Sequence, residues 1–435
     1  FNHKRAEIIF YRDEFHSLYS FIFDSYSKNN MIPFSPPRID DDVIDEVVDA
    51  LRSGWITTGP KTKRFEKEIA AYTGAKTVIC LNSGTAGMEL MLSWFGIGPG
   101  DEVIIPAYTY TATANAVIHQ GAIPVMCDVK DDFTIDEDKI EQLITKRTKV
   151  VIPVDIAGFP CNYDKINALV RKKNVKSVFK PSTEEQELLG RILILADGAH
   201  SIGSEYKGKR SGQLADATSF SFHAVKNLTT AEGGALALAL PDRFEPQKMY
   251  QRMNIKSLHG QTKDAFAKVK KGGWRYDVVE AGYKYNMTDI SASIGLVELA
   301  RYKNDTLVKR RHIFDRYNEQ LGKYSWANVP VCETEESVSN CHLYMLRINN
   351  VNEHQRNLII YEIYEQDVAV NVHYQPLPML SLFKYKGYNI DEFPKSYELY
   401  SNEISLPIWY DMTDEIVDQV VAAIVYAVEK VLASE

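Results

Sequence analysis

Lys76-Thr-Val-Ile-Cys-Leu81, followed by Asn82-Ser83-Gly84-Thr85-Ala86-Gly87 and an apolar run to Phe95, sets the reading of this chain. A short β-rich segment stops at a turn of small residues, and a helix starts at once. The same alternation then repeats. Asp101–Ile105, Ile123–Val129 and Lys149–Val154 read as strands, with helices predicted over Thr111–Gln120, Glu137–Thr145 and Asn162–Lys173. Ile192–Ala196, Ala217–His223 and Gly234–Leu240 continue the strands. Strands separated by helical crossovers imply an α/β chain with a mainly parallel sheet covered on both faces.

Ligands in such sheets bind beyond the carboxyl ends of the strands, and four segments place chemistry there. The Asn82–Gly87 turn offers small residues and the free N–H groups of a helix start, which suit a phosphate. Pro106-Ala-Tyr108-Thr109-Tyr110-Thr-Ala-Thr113 puts aromatics after the second strand, with Tyr110 the choice to stack on a flat ring and Tyr108 the reserve. Ile192-Leu-Ile-Leu-Ala-Asp197-Gly-Ala-His200 ends a strand in a carboxylate. Ser219-Phe-Ser-Phe-His-Ala-Val-Lys226 then brings a lysine beside small polar residues and the Gly233-Gly234 pair, with Ser221 placed to bind a phosphate. A lysine amine to condense with an aldehyde, and a carboxylate to keep a pyridine nitrogen protonated, are what pyridoxal 5'-phosphate chemistry requires. His200 is a candidate partner for the cofactor's ring hydroxyl.

The remaining composition sets bounds. With 435 residues the chain exceeds one ordinary core, so a large and a smaller domain are expected. It is 45% hydrophobic and 25% charged, as soluble globular chains are, and its net charge of -8 argues against nucleic-acid or anionic-membrane partners. No apolar run approaches the roughly 20 residues a membrane span needs, and the start lacks a signal-peptide pattern. The five cysteines show no metal-ligand spacing, so no metal is expected; they read as free thiols in a reducing compartment. Residues 1–30 lack clean periodicity and read as an extension ahead of Met31. The polar 172–190 stretch reads as an exposed insertion. Helices are also predicted over 40–53, 63–72, 290–302 and 308–321.

Taken together, these segments resemble the DegT/DnrJ/StrS family of pyridoxal-phosphate-dependent aminotransferases, most of which act on sugar nucleotides. The resemblance runs from about Ile32 to the end, apart from 172–190. It also includes Gly54-Trp-Ile-Thr-Thr-Gly-Pro60, Gly282-Tyr-Lys-Tyr-Asn-Met-Thr-Asp289, His342-Leu-Tyr344 and Val372-His-Tyr374. It implies fold type I: a large domain (31–300) with a mostly parallel seven-stranded sheet, and a smaller α+β C-terminal domain (301–435). It further implies a homodimer with active sites at the subunit interface. Lys226 matches the cofactor-bonding lysine and Asp197 the pyridinium partner. Gly84, Thr85, Ala86 and Ser221 match phosphate positions, Tyr110 the stacking position and His200 the ring-hydroxyl position. Asn286 and Lys284 fall in a segment that relatives send into the neighbouring subunit's site, although the commoner pattern there is Asn then Arg. His373, Tyr374 and His342 match the substrate side.

Asp155 and Ala157 stand where many relatives have His and Tyr, a departure expected to alter the substrate side of the pocket. A family branch that carries histidine at the lysine position is a sugar dehydratase; Lys226 disfavours that reading. The expected reaction moves an amino group, from glutamate, onto a keto sugar nucleotide, with a 4-keto-6-deoxyhexose ahead of a 3-keto sugar. Lys256, His259, Lys263, Lys270, Lys271 and Arg275 are candidate nucleotide contacts. A cyclitol aminotransferase and a non-catalytic regulator are the alternatives within this fold. An NAD-dependent oxidoreductase is disfavoured because no Gly-x-Gly-x-x-Gly follows the first strand. A cytoplasmic enzyme of surface polysaccharide or glycoconjugate synthesis is the expected setting.

Overall fold

The computed structural model describes residues 31–263 and 275–433; the extension expected over 1–30 lies outside them. Seven strands form the central sheet: β1 (Thr77–Leu81), β2 (Glu102–Pro106), β3 (Ile123–Cys127), β4 (Thr148–Val151), β5 (Leu193–Asp197), β6 (Ala217–Ser221) and β7 (Gly234–Leu238). Their spatial order is β1-β7-β6-β5-β4-β2-β3. Only β7 runs against its neighbours, pairing antiparallel with β1 and β6. The carboxyl ends of the other six therefore share one edge, and β7 begins at that edge, where Gly234 faces Leu81.

The strands are almost wholly buried, β2 and β5 along their full length, as expected for a sheet covered on both faces. Helices α1 (Asp41–Ser53) and α2 (Pro60–Thr73) each end at a glycine in the left-handed region, Gly54 and Gly74. Helix α3 (Gly84–Trp94) follows β1 and α4 (Thr111–His119) follows β2. These elements match the predicted ones to within a few residues.

The 172–190 stretch is mostly exposed, as its polar composition predicts, but it is anchored to the fold. It forms two short helices, Lys173–Val178 and Glu184–Leu189. Val175, Phe179 and Leu189 join the main core, and the Gln186 side chain donates to the Phe95 carbonyl at 2.8 Å. Polar composition concealed three apolar anchors.

A second core lies between 313 and 431, around β8 (Tyr344–Ile348) paired antiparallel with β9 (Glu403–Leu406). Ile32 pairs with Val368 and packs against this core. Leu377, Phe383 and Phe393 instead join the main core. The chain thus returns to the main core after entering the second one. Cys332 and Cys341 form a disulfide, which corrects the free-thiol expectation for that pair; Cys80, Cys127 and Cys161 are free and buried. No helix among the described residues is long and apolar enough to cross a membrane.

Candidate active site

The carboxyl edge of the sheet opens into a cleft of about 510 Å³, within the size range of small-molecule sites. Gly84, Thr85, Tyr110, Asp197, His200, Ser221, Lys226, His373 and Tyr374 all line it.

The phosphate end is built by α3. Ser83 caps the helix, its hydroxyl accepting the Ala86 N–H at 3.1 Å. This occupies the Ala86 amide, so Ala86 is not a free phosphate donor as expected, and leaves those of Gly84 and Thr85 without a partner among the described residues. Ser219 donates to the Gly84 carbonyl at 2.6 Å, locking the turn to β6. Two residues on, Ser221 lies on the same face of β6 and reaches the cleft. Gly234 makes the packing possible: a Cβ there would lie 2.3 Å from the Ser83 carbonyl carbon. The helix dipole and two free amides next to a serine hydroxyl favour an anion.

At the other end, Asp197 closes β5 and is buried. Thr113 Oγ1 donates to its Oδ2 at 2.7 Å, and the Ala199 N–H donates to Oδ1 at 3.2 Å. Burial pushes this carboxyl up, against the pull of Thr113, Ala199 and the Lys226 charge. Thr113 was within the quoted motif but had no role assigned to it; its position one helical turn after Tyr110, in α4, was the available signal.

Lys226 sits in the turn after β6, its own amide bonded to the His223 carbonyl at 2.9 Å. Burial lowers the amine to about 8, and Asp197 opposes that fall. A buried amine of this kind is free enough to act as a nucleophile near neutral pH.

Tyr110 starts α4 and remains 56% exposed, its ring centroid 5.5 Å from that of Tyr374. Tyr108 is core: fully buried, with its hydroxyl donating to the His373 carbonyl at 2.9 Å. His200 Nδ1 accepts the Ala157 N–H at 3.2 Å. Its proton is therefore on Nε2, which lies 3.1 Å from Tyr374 Oη. Burial pushes His200 far below the usual histidine range, so it is neutral.

Several expected residues stand elsewhere. His342 does not line the cleft; it is buried behind His200 with ring centroids 4.3 Å apart, and its Nδ1 lies 2.8 Å from Asn227 Oδ1. Asp155 is also buried, held by the Cys161 N–H, the Tyr163 hydroxyl and the Ser201 hydroxyl. It braces the loop from β4 and does not face the cleft. Ala157 serves through its backbone, its N–H donating to His200 and its carbonyl accepting the His342 N–H at 3.2 Å and the Ser339 hydroxyl at 3.3 Å. The expected change on the substrate side thus becomes a change in support.

Lys284 and Asn286 do not line this chain's cleft. They lie on a segment that runs along β1 beside the phosphate turn, where Asn82 N–H donates to the Tyr285 carbonyl at 2.7 Å. Asn286 Nδ2 donates to Thr58 Oγ1 at 2.7 Å. Of the expected nucleotide contacts, Lys256 is buried and paired with Glu280 at 3.0 Å; His259 and Arg275 are exposed. Lys270 and Lys271 lie outside the described residues. Ser83 and Gly233, from the quoted turn and glycine pair, also line the cleft, and Glu232 and Asn371 line it without a role having been assigned to them.

The arrangement fits pyridoxal phosphate. An anion site and a buried carboxylate stand in one cleft with a partly neutral lysine, and Tyr110 adds an exposed ring to the same lining.

Comparison with known proteins agrees. The model of the DegT/DnrJ/EryC1/StrS aminotransferase family matches residues 37–180 and 187–425. The spore coat polysaccharide biosynthesis protein SpsC of Bacillus subtilis is 35% identical, over 91% of this chain and 97% of its own length. The UDP-4-amino-4-deoxy-L-arabinose–oxoglutarate aminotransferase of Shewanella sediminis is 36% identical, over 91% of this chain and 98% of its own. Among solved structures, the pyridoxal-phosphate form of a candidate sugar aminotransferase of Streptococcus pneumoniae, Spr1654, superposes with a TM-score of 0.88. It is 46% identical and covers 92% of this chain and all of that one. A pyridoxamine-phosphate form of the same protein matches equally well, at 0.88.

Proposed function

The chain belongs to the DegT/DnrJ/EryC1/StrS family of pyridoxal-phosphate-dependent aminotransferases, and from that premise we propose that it aminates a keto sugar carried on a nucleoside diphosphate. Glutamate is the proposed amino donor, and a 4-keto-6-deoxyhexose the proposed acceptor. Relatives named for spore coat polysaccharide synthesis and for an aminoarabinose nucleotide support a sugar substrate. The observation that carries the reading is Lys226 and Asp197 lining one cleft with the amino end of α3.

Bound cofactor supplies an electron sink and carries the amino group from donor to acceptor. The chain supplies the rest. Gly84 and Thr85 amides and the Ser221 hydroxyl hold the phosphate. Asp197, oriented by Thr113 and the Ala199 N–H, keeps the ring nitrogen protonated. Lys226 would hold the cofactor's aldehyde carbon at rest, and its amine, once freed by the donor, would move a proton between the donor's α-carbon and that carbon, on the far side of the intervening nitrogen. Tyr110 would pack on the ring. His200 and Tyr374 close the side beyond Asp197, and His373 faces the acceptor.

A homodimer is proposed, with Asn286 and Lys284 contributing to the partner's site; their place on the rim beside the phosphate turn supports this. A cytoplasmic setting is proposed with it, as the place where sugar nucleotides and glutamate meet. The substrate test is a panel of keto sugar nucleotides offered to the pyridoxamine-phosphate form. Amination of a 4-keto-6-deoxy member is expected. Amination of a cyclitol ketone, with none of any sugar nucleotide, would replace the sugar reading.

A further inference from the structure

His373 meets a buried carboxyl through a single hydroxyl. Its Nδ1 lies 2.9 Å from Ser405 Oγ, and Ser405 Oγ lies 2.5 Å from Glu403 Oε1. The other carboxyl oxygen, Oε2, accepts the backbone N–H of His373 at 3.1 Å. Glu403 and Ser405 are fully buried on β9. The segment carrying His373 is tied to the same strand by paired Asn371–Ser405 backbone bonds of 3.1 and 2.7 Å. The His373 ring is clamped between Phe34 and Tyr374, with centroids at 5.5 and 4.9 Å. Its Nε2 has no hydrogen-bond partner among the described residues, and the residue lines the cleft.

A hydroxyl has one proton, so Ser405 donates either to Glu403 or to His373, not to both. The His373 N–H pins Oε2 as an acceptor, so any proton on the carboxyl sits on Oε1, facing Ser405. Two arrangements satisfy every partner. With Glu403 ionised, Ser405 donates to Oε1, His373 Nδ1–H donates to Ser405, and Nε2 presents a lone pair to the cleft. With Glu403 protonated, the chain reverses: Oε1–H donates to Ser405, Ser405 donates to Nδ1, and Nε2–H faces the cleft.

We propose that Glu403, acting through Ser405, sets which nitrogen of His373 carries the proton, and so whether His373 offers the cleft a donor or an acceptor. His373 stays neutral in both states, since burial pushes it down to about 3. The one proton lost on going from the second state to the first leaves from Nε2, the end of the chain that opens to the cleft. Glu403 and Ser405 are positioning residues. The donor form suits a ketone oxygen and the acceptor form a sugar hydroxyl, an extension that rests on the sugar reading above; the switch itself does not.

Burial pushes Glu403 up to about 8, which puts the reversal near working pH. The groups facing it are few. The Arg356 guanidinium donates to the Tyr400 and Glu403 carbonyls at 2.8 Å each and pulls the carboxyl down. The phenols of Tyr108 and Tyr374 are both held above their usual range by burial, and among the described residues His373, itself facing the Lys226 amine, is the remaining titratable neighbour.

The test is nitrogen-15 NMR of the cofactor-loaded, full-length protein with labelled histidine, on both sides of about pH 8. The His373 signals are assigned by their loss in His373→Gln. In the wild type, Nε2 should read as protonated on the acid side and as unprotonated on the alkaline side. Glu403→Gln should freeze the protonated Nε2 at every pH: its amide oxygen takes the His373 N–H, which leaves its NH2 group facing Ser405. Ser405→Ala should remove the reversal while leaving Glu403 in place. A single His373 tautomer throughout the wild-type titration would overturn the proposal, and so would a reversal that persists in both variants. Should either variant fail to fold, the wild-type titration alone decides. A reversal seen in a protein that aminates no sugar nucleotide would support the relay and count only against the sugar reading.

Discussion

Lys226 is held at a cost. Burial lowers its amine to about 8 in the cofactor-free protein, below the ordinary lysine value of the unfolded chain. Between those two values the unfolded chain binds more protons, so folding stability rises with pH through that window. Below about 8 both states are protonated and the full penalty is present. Cofactor-free Lys226→Met should therefore be more stable than wild type at neutral pH, by on the order of 1–3 kcal/mol. The gap should shrink as pH approaches the unfolded lysine value, and thermal denaturation at several pH values measures it. The same substitution should abolish transamination. Thr113→Val tests the support beneath Asp197. With its 2.7 Å donor gone, the carboxyl should rise further, and kcat/KM should fall about 10- to 100-fold, with KM for the donor changing little. Lys226 and Asp197 were legible in the sequence because each closes an apolar strand or follows one. Thr113 was not singled out, because its role depends on α4 lying against β5, and spacing along the chain does not report that.

At the scale of elements, the site is a set of strand ends and one helix start. Ser83 closes the first turn of α3 and leaves two amides for a phosphate. Ser83→Ala should cost about 1 kcal/mol of stability and weaken phosphate binding, measured by thermal denaturation and cofactor titration. Gly234→Ala should do more harm, since the added carbon would collide with the backbone of the phosphate turn. It should impair cofactor binding while leaving the distant C-terminal core folded, as circular dichroism and cofactor titration would show. Strand periods were readable because β5 is a short apolar run and β6 alternates Phe220 with Ser219 and Ser221. The exposure of the 172–190 stretch was legible, but its anchoring was not, because Val175, Phe179 and Leu189 are spread too thinly among charged residues to show a face. Asp155 was misread because its partners Tyr163 and Ser201 arrive from separate parts of the chain. The Cys332–Cys341 pairing likewise depends on the turn between them, which no spacing rule identifies.

At the scale of the molecule, the chain supplies a cofactor cleft and, beside it, a rim segment whose Lys284 and Asn286 do not turn into that cleft. This geometry suits a pair of subunits exchanging residues. Light scattering should give twice the 49.4 kDa chain mass, and Asn286→Ala should weaken cofactor binding without splitting the dimer. A monomer that is fully active would contradict the exchange. The whole account turns on one amine in one cleft. Its most direct test is the absorbance of purified protein mixed with pyridoxal phosphate, before and after L-glutamate, beside Lys226→Ala. The account predicts a visible band in the wild type that is absent from the variant and gives way to near-ultraviolet absorption on adding glutamate. A visible band identical in Lys226→Ala, or none in the wild type, would contradict it.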